Sequence, residues 1–248
     1  MSINDNDVDK ITKCIDEYYG AKLNKEVEAD YGWSHPVLNL IDCVLSLNRR
    51  YDNFAKPRVK EFNKNNRDVV TLLQLKEFIY SSGGPAAFVR KELKYTDANR
   101  AEVLYGVLNR LIEIAEKFPG PNEMRSICQW ANSVSPHDYK NFGVFGFGLA
   151  GFQYLRMLFG ADTVKPDIYI KAFVKDCLGK NVSEMIALYL VETASKRLGY
   201  SPRRVDGVIW EDYARNKSRK VRKHQRDWLA KSTPPCATLP SIAMRTPS

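Results

Sequence analysis

The chain has 248 residues, of which 44% are hydrophobic, and its 38 Lys and Arg exceed its 29 Asp and Glu to give a net charge of +9. This length buries a sizeable core, no apolar run approaches the roughly 18 residues of a membrane span, and the opening residues MSINDNDVDK are too acidic for a signal peptide. We therefore expect an intracellular protein, in the cytoplasm or nucleoid or in a eukaryotic nucleus, with no membrane partner and a preference for polyanions such as nucleic acid.

Helical periodicity runs along most of the chain. Apolar residues recur every three or four positions, and no stretch alternates with period two. The sequence therefore predicts an all-α protein, with breaks where glycine or proline clusters at residues 82–85, 119–121 and 135–138. Helices are predicted over residues 5–19, 36–51, 54–64, 71–81, 97–118, 122–133, 149–159, 168–178, 183–198 and 202–214.

The last part of the chain, residues 216–248, has a different composition. It begins with the continuation of a basic run that starts at Arg215. Its last residues are STPPCATLPSIAMRTPS. That composition predicts a basic, disordered tail. The basic run suits either a phosphate backbone or a solvated surface.

Cysteine usage argues against metal chemistry. The five cysteines are scattered, with no Cys-x-x-Cys pair and no Cys/His group at zinc spacing. They are Cys14, Cys43, Cys128, Cys177 and Cys236. We expect no metal site and no small-molecule cofactor.

The most informative stretch lies between residues 141 and 173. In Gly146-Phe147-Gly148 two residues lack a Cβ, so the backbone can take positive φ and bring its N–H groups close to an anionic surface. Helical spacing resumes at Leu149, and Val164-Lys165-Pro166-Asp167 opens a further helix. A backbone anion site and a carboxylate therefore lie within one short span.

This order of features resembles the helix-hairpin-helix DNA glycosylase superfamily, in which a hairpin, a helix, a loop and an aspartate follow one another. Val144-Phe145-Gly146-Phe147-Gly148 is similar to the family hairpin except that Phe145 replaces a proline. Gly148 and Asp167 are 19 positions apart (167 minus 148), close to the separation in the family. A looser likeness lies in residues 35–48, a proline-led apolar helix that ends in a polar turn. The two likenesses span about residues 35–175.

The resemblance implies a two-lobed helix-hairpin-helix fold. One helical lobe would comprise residues 36–160 and contain the hairpin, and the other would comprise residues 1–35 with 161–215. Asp167 would stand at the cleft between them. The implied activity is that of a monomeric hydrolase of base excision repair, which hydrolyses the N-glycosidic bond of a damaged or modified base flipped out of double-stranded DNA.

The resemblance also implies roles for individual residues. Asp167 is the catalytic carboxylate, since positive charge builds on the sugar as the base leaves. Gly146-Phe147-Gly148 contacts a DNA phosphate, Asn48 fills the gap left by the flipped base with Arg49 beside it, and Lys165 faces phosphate. A simpler interpretation of Asp167 stays open, because an aspartate between a proline and an apolar helix is also a typical N-cap, worth about 1 kcal/mol.

Three positions depart from the family pattern. Family members that also cut the DNA backbone carry a lysine two residues after the second hairpin glycine, where this chain has Ala150. A glycosylase of this sequence would therefore be monofunctional. Phe145 and the bulky Phe152 are the other departures. They leave open a non-catalytic DNA-binding module of the same fold, and a helical protein-interaction scaffold in which the glycine turn only joins two helices.

Overall fold

The computed structural model describes residues 4–25 and 32–215, and every regular element in these ranges is helical. This confirms the predicted all-α class. The α-helices are α1 (Asp5–Leu23), α2 (Pro36–Ser46), α3 (Lys56–Asn65), α4 (Leu72–Ser81), α5 (Pro85–Glu92), α6 (Ala98–Lys117), α7 (Glu123–Ser133), α8 (Leu149–Leu158), α9 (Ile168–Leu178), α10 (Glu184–Arg197) and α11 (Pro202–Arg215).

The structure differs from the predicted helices at several points, which include the end of α1 at Leu23 instead of residue 19 and a 3-10 helix, Pro136–Phe142, at a predicted break. The break at residues 82–85 is followed directly by α5, which was not predicted and which begins with Pro85 after two glycines of positive φ. The helix predicted over residues 36–51 ends at Ser46, because Leu47 is extended and Asn48 has a φ of 55°. A short π-helix, Tyr51–Ala55, then leads into α3.

The first hydrophobic core is built by α2 to α8. Its central element is α2, all of whose residues are buried: its apolar residues pack on the neighbouring helices, and its polar stripe of Asn39, Asp42 and Ser46 is buried as well. Rings from α7 and α8 fill the end next to the hairpin, where Phe152 lies edge-on to Trp130 and packs against Phe142. Phe152 is thus a core residue.

The second hydrophobic core is built from distant parts of the chain. Apolar residues of α1 pack with those of α9, α10 and α11. Tyr19 of α1 contacts the ring of Phe173 on α9 and donates a hydrogen bond to Asp212 on α11. Assigning the two cores to separate lobes stays a prediction.

A polar chain of hydrogen bonds joins the two cores. Arg156 on α8 donates to Gln153 at 2.7 Å, Gln153 donates to Thr163 at 2.6 Å, and Thr163 donates to Glu192 on α10 at 2.5 Å. Buried polar groups with matched partners fix relative position more tightly than apolar contact does. The loop between α8 and α9 is therefore held to both cores.

Within residues 4–25 and 32–215, no helix is long and apolar enough to cross a bilayer. The predicted tail, residues 216–248, lies outside the described residues.

Candidate active site

The hairpin between residue 143 and α8 is held by backbone geometry. Gly146 has a φ of 79°, which a residue with a Cβ rarely adopts. Gly148 differs from the expectation, since its φ of −82° is open to any residue and a Cβ there would meet no atom within 4 Å. Only one of the two glycines is therefore required by the turn itself.

Phe147 faces inward. Its ring is buried against Phe142, and its N–H donates to the carbonyl of Val144 at 3.1 Å. Neither the ring nor the N–H of Phe147 is directed at solvent. Phe145, by contrast, is fully exposed.

No side chain caps α8, whose N-cap residue is Gly148. The first N–H groups of a helix have no partner within the helix and carry a partial positive charge. Both Gly146 and Gly148 are exposed. The start of α8 therefore has uncapped backbone donors of a kind that suits an anion, and Ala150 is the half-buried residue of a first turn in which Leu149 and Gly151 are buried.

Asp167 is the N-cap of α9, and only one of its oxygens is used for capping. Oδ1 accepts hydrogen bonds from the N–H groups of Tyr169 at 2.8 Å and Ile170 at 3.3 Å. Oδ2 lies 3.9 Å from Nζ of Lys165, and the Asp167 side chain is 17% exposed. The capping interpretation is therefore correct for Oδ1, while Oδ2 is left for other chemistry.

Lys165 is held from two directions. Its Nζ lies 3.9 Å from the centroid of the Tyr154 ring, a distance at which an ammonium group is attracted by the ring face. Its backbone N–H donates to Oδ1 of Asp206 at 2.8 Å. The ammonium group is thus positioned beside Asp167 instead of extending into solvent.

Asp206 is a buried carboxyl on α11. Burial and the negative charge of Asp167 raise its pKa well above the ordinary value, and the N–H and ammonium of Lys165 oppose that rise. A raised pKa favours the neutral acid, which keeps a second negative charge away from Asp167.

The turn after α2 presents Asn48 and Arg49. The αL conformation of Asn48 is one that asparagine tolerates better than most residues. Arg100 of α6 donates to the carbonyl of Leu47 at 2.9 Å, and Arg49 donates to the hydroxyl of Tyr95 at 2.8 Å. Both Asn48 and Arg49 are exposed on a turn that α6 holds in place.

Behind this turn lies a buried carboxylate, Asp42. It accepts hydrogen bonds from Trp33 at 2.6 Å, Ser46 and Tyr51 at 3.0 Å, and Tyr154 at 3.1 Å. These four donors replace the water that burial removes. They also fix Tyr51 and Tyr154 relative to α2.

A cavity of about 380 Å³ opens between these elements. It brings together the predicted residues Asn48, Arg49, Lys165 and Asp167, with Ala150 from the first turn of α8. The hairpin glycines and Phe147 do not line it. The remaining walls are Ser46, Leu47, Arg50, Tyr51, Ile168, Tyr169, Lys171, Glu184 and Trp210.

Sequence reasoning missed Trp210 on the cavity wall and the buried Asp206 behind it. Tyr51 and Trp210 meet edge to face with centroids 6.0 Å apart and bring residues of α11 and the π-helix to one wall. Asp206 lies one helical turn before Trp210 on the same helix. Residues 165–206 contain five acidic residues and five lysines, so nothing in the sequence marks Lys165, Asp167 and Asp206 as a group, and pairing them requires the fold.

A family model described as a domain of unknown function, DUF8548, matches residues 146–215. This segment begins at the positive-φ glycine of the hairpin and ends with α11. It includes Lys165, Asp167 and Asp206 but not the turn at Asn48. No curated protein and no solved structure matches the chain.

Proposed function

We propose that this chain is a monofunctional DNA glycosylase with a two-lobed helix-hairpin-helix fold, which hydrolyses the N-glycosidic bond of a damaged or modified base in double-stranded DNA. The observation that carries the proposal is the cavity, where Asp167, Ala150 and the Asn48 turn converge from three separate parts of the sequence. In the resembled family these positions hold the catalytic carboxylate, the lysine of those members that also cut the backbone, and the residue that fills the gap in the duplex, and all three line one cavity here.

The reaction follows from where charge develops. As the base leaves, the sugar gains positive charge at C1′, and a fixed carboxylate beside that carbon lowers the barrier. Oδ2 of Asp167 is the available oxygen, since Oδ1 is held by two N–H groups of α9. The same oxygen orients the attacking water. The two capping hydrogen bonds to Oδ1 therefore fix the orientation of the carboxylate and hence the position of Oδ2.

The cavity suits a flipped base. Its volume of about 380 Å³ lies within the range of about 300 to 1,000 Å³ found for small-ligand pockets. Tyr51 and Trp210 provide aromatic walls on which a base can stack, and Asn48 stands at the rim to fill the gap in the duplex. The uncapped start of α8 binds a phosphate nearby.

A non-catalytic DNA-binding module is the second candidate. One observation favours it: Asp167 already caps α9 through Oδ1, a sufficient structural reason for an aspartate at this position. In that case the hairpin and the basic surface bind DNA, and the cavity holds no reacting base. Base release separates the two candidates.

The decisive experiment measures base release from duplexes that carry alkylated, oxidised, deaminated or naturally modified bases, with hot alkali to reveal abasic sites. We expect Asp167→Asn to lower the rate by about 10²-fold to 10³-fold or more, because a charge that stabilises the transition state is removed, while duplex affinity stays equal or improves. Near-normal excision by this variant would contradict the catalytic assignment.

Asp162→Asn is the matched control. Oδ1 of Asp162 also accepts a backbone N–H at a helix start, from Arg203 at 2.9 Å, but Asp162 does not line the cavity. Both variants keep an oxygen that accepts the capping bond, so circular dichroism and thermal melting should match. Only the Asp167 variant should lose excision. A wild-type chain that binds no duplex at low salt would instead favour the protein-interaction scaffold.

The monofunctional assignment has its own test. We expect no covalent protein–DNA adduct when borohydride is added during turnover, since Ala150 cannot form a Schiff base. Lys165 is the nearest other amine, with its Nζ 3.9 Å from the Tyr154 ring centroid and 3.9 Å from Oδ2 of Asp167. An adduct that disappears in Lys165→Ala would show a lyase with a relocated nucleophile.

A further inference from the structure

The most exposed large apolar side chain in the described residues is Phe145, at the tip of the hairpin. Its exposure is 100%, compared with 86% for Tyr80 and 68% for Ile168. Removing a benzyl side chain from water is among the larger gains available to a surface residue. A free aromatic ring at this position therefore calls for an explanation.

The turn prevents Phe145 from folding back onto the protein. On one side Val144 packs against α6 so closely that a Cβ on Gly106 would lie 2.9 Å from its Cγ1. On the other side Phe147 enters the core, and Gly146 holds a φ of 79° between them. Residues 144 and 147 are thus both anchored, and the ring between them points outward.

The chain on either side of Phe145 supplies no further exposed apolar side chain for a protein-docking surface. Its exposed sequence neighbours are Lys140, Asn141 and the glycines 143, 146 and 148. A stable contact with another protein or a second copy needs an apolar patch of several side chains. Here a single ring stands among polar side chains and bare backbone.

The groups next to the ring favour an anion. Three residues after Phe145 is the N-cap of α8, which no side chain caps, and the exposed Lys140, five residues before Phe145, adds a positive charge. An aromatic face beside a phosphate-binding helix start matches one class of ligand, a nucleic acid, in which flat bases and phosphates alternate at close spacing.

We propose that Phe145 is a wedge that enters the duplex and stacks against a base next to the phosphate held by the start of α8. Apolar side chains inserted between base steps unstack them and bend the duplex. Bending lowers the cost of extruding a nucleotide nearby. The inference rests on the proposed DNA-binding function, and it assigns a task to the exposed ring of Phe145.

The test uses the whole chain and a duplex that contains 2-aminopurine, whose fluorescence rises when it is unstacked. We expect wild type and Phe145→Trp to raise the emission on binding. Phe145→Ala should not raise it and should bind about tenfold more weakly, within the range measured when a stacking aromatic is removed. Tyr80→Ala is the matched control, because it removes an exposed ring from α4 and should change neither reading.

The outcomes separate this inference from the proposed function. Equal affinity and equal emission for wild type and Phe145→Ala would overturn the wedge and leave the glycosylase proposal standing. Self-association that Phe145→Ala abolishes, seen by analytical ultracentrifugation without DNA, would overturn it in favour of a contact between copies. A wild-type chain that binds no duplex at about 50 mM salt, where phosphate contacts are strong, would overturn both.

Discussion

Two carboxyl groups lie buried behind the cavity wall, and the protein holds them in opposite ways. Asp42, in the first core, accepts four hydrogen bonds from Trp33, Ser46, Tyr51 and Tyr154. Asp206, in the second core, accepts one, from the backbone N–H of Lys165. A carboxylate with four donors is compensated for its lost hydration, whereas a carboxyl with one donor is stabilised as the neutral acid.

The difference in hydrogen-bond donors between Asp42 and Asp206 indicates how the negative charge is distributed around the cavity. Asp42 fixes the positions of cavity side chains, since its donors include Tyr51 on the cavity wall and Tyr154, whose ring contacts Lys165. Asp206 acts on charge, since its raised pKa disfavours a second anion close to Asp167. Within the pair of Asp206 and Asp167, the negative charge therefore stays on Asp167, the member that lines the cavity.

The largest expected effect comes from removing the well-compensated carboxylate. Asp42→Ala leaves four buried donors without an acceptor, so we expect the free energy of unfolding to fall by about 3 kcal/mol or more. Urea unfolding at neutral pH measures this change. Asp42→Asn, which keeps the shape and one oxygen, should lose less. A loss below about 1 kcal/mol for Asp42→Ala would show that water replaces the carboxylate as acceptor. The proposed difference between Asp42 and Asp206 would then be wrong.

Removing the other carboxyl should have a smaller effect of opposite sign. Because the folded-state pKa of Asp206 is raised above 3.8, the folded chain binds more protons than the unfolded chain in this window, and stability is lost as the pH rises from about 4 toward the folded pKa. Asp206→Asn mimics the neutral acid and keeps an acceptor for the N–H of Lys165. It should therefore become increasingly more stable than wild type as the pH rises.

Urea unfolding of wild type and Asp206→Asn at several pH values between 4 and 8 checks the sign. Asp167 and Lys165 are the charged groups that act on Asp206, and both are unchanged in this variant. Parallel curves for the two proteins would mean that Asp206 ionises as readily in the folded chain as in the unfolded chain.

Lys165→Met tests the residue that connects the two sides. The variant keeps the backbone N–H on Asp206 and an apolar stem over Tyr154, but it removes the ammonium group. We expect a loss of about 1 kcal/mol from the cation–π contact, with little from the partly exposed pair with Asp167. Because Lys165 lowers the pKa of Asp206, the pH-dependent loss of stability should also extend to higher pH than in wild type. An unchanged pH profile would assign the lysine to packing alone.

The smallest effect should come from taking one donor away from Asp42. Tyr154→Phe keeps the ring beneath Lys165 and leaves three donors on the carboxylate, so we expect a loss of about 0.5 to 1 kcal/mol. Tyr51→Phe removes an equivalent hydroxyl at 3.0 Å and should match it. A loss of several kcal/mol in either variant would show that the four donors act as one unit.

Much of the helical framework could be predicted from the sequence, because a 3.6-residue period is a local property. The helix α5 could not, since it is eight residues long and buries only Phe88 and Val89. The early end of α2 was missed because Leu47 continues the apolar pattern while Asn48 reverses the backbone. A helix is predicted well from the sequence where buried positions recur with a regular period. It is predicted poorly where the φ angle of a single residue determines its end.

The residues in and behind the cavity also differ in whether a local sequence pattern or the tertiary packing determines their position. Asp167 and Lys165 are two positions apart in a recognisable local pattern, so both could be predicted. Asp206 looks like an ordinary charge on an amphipathic helix, and its burial depends on the packing of α11 against the α8–α9 loop. Gly148 shows the converse, since its position in the pattern suggested a strained backbone that the structure does not have.

The construction of the second core also sets the order in which the chain can fold. The residues of the first core form one continuous stretch, from Val37 to Ala161. By contrast, α1 is synthesised first but packs on helices whose buried residues extend to Ile209, and its ion pair between Asp5 and Arg197 closes a loop of 192 positions. Contacts across so long a loop form late, because loop closure costs entropy before any contact repays it. We therefore expect Val8, Ile11 and Ile15 of α1 to stay exposed to solvent until α9, α10 and α11 have been synthesised. Packing of α1 against these helices is then the last step of folding.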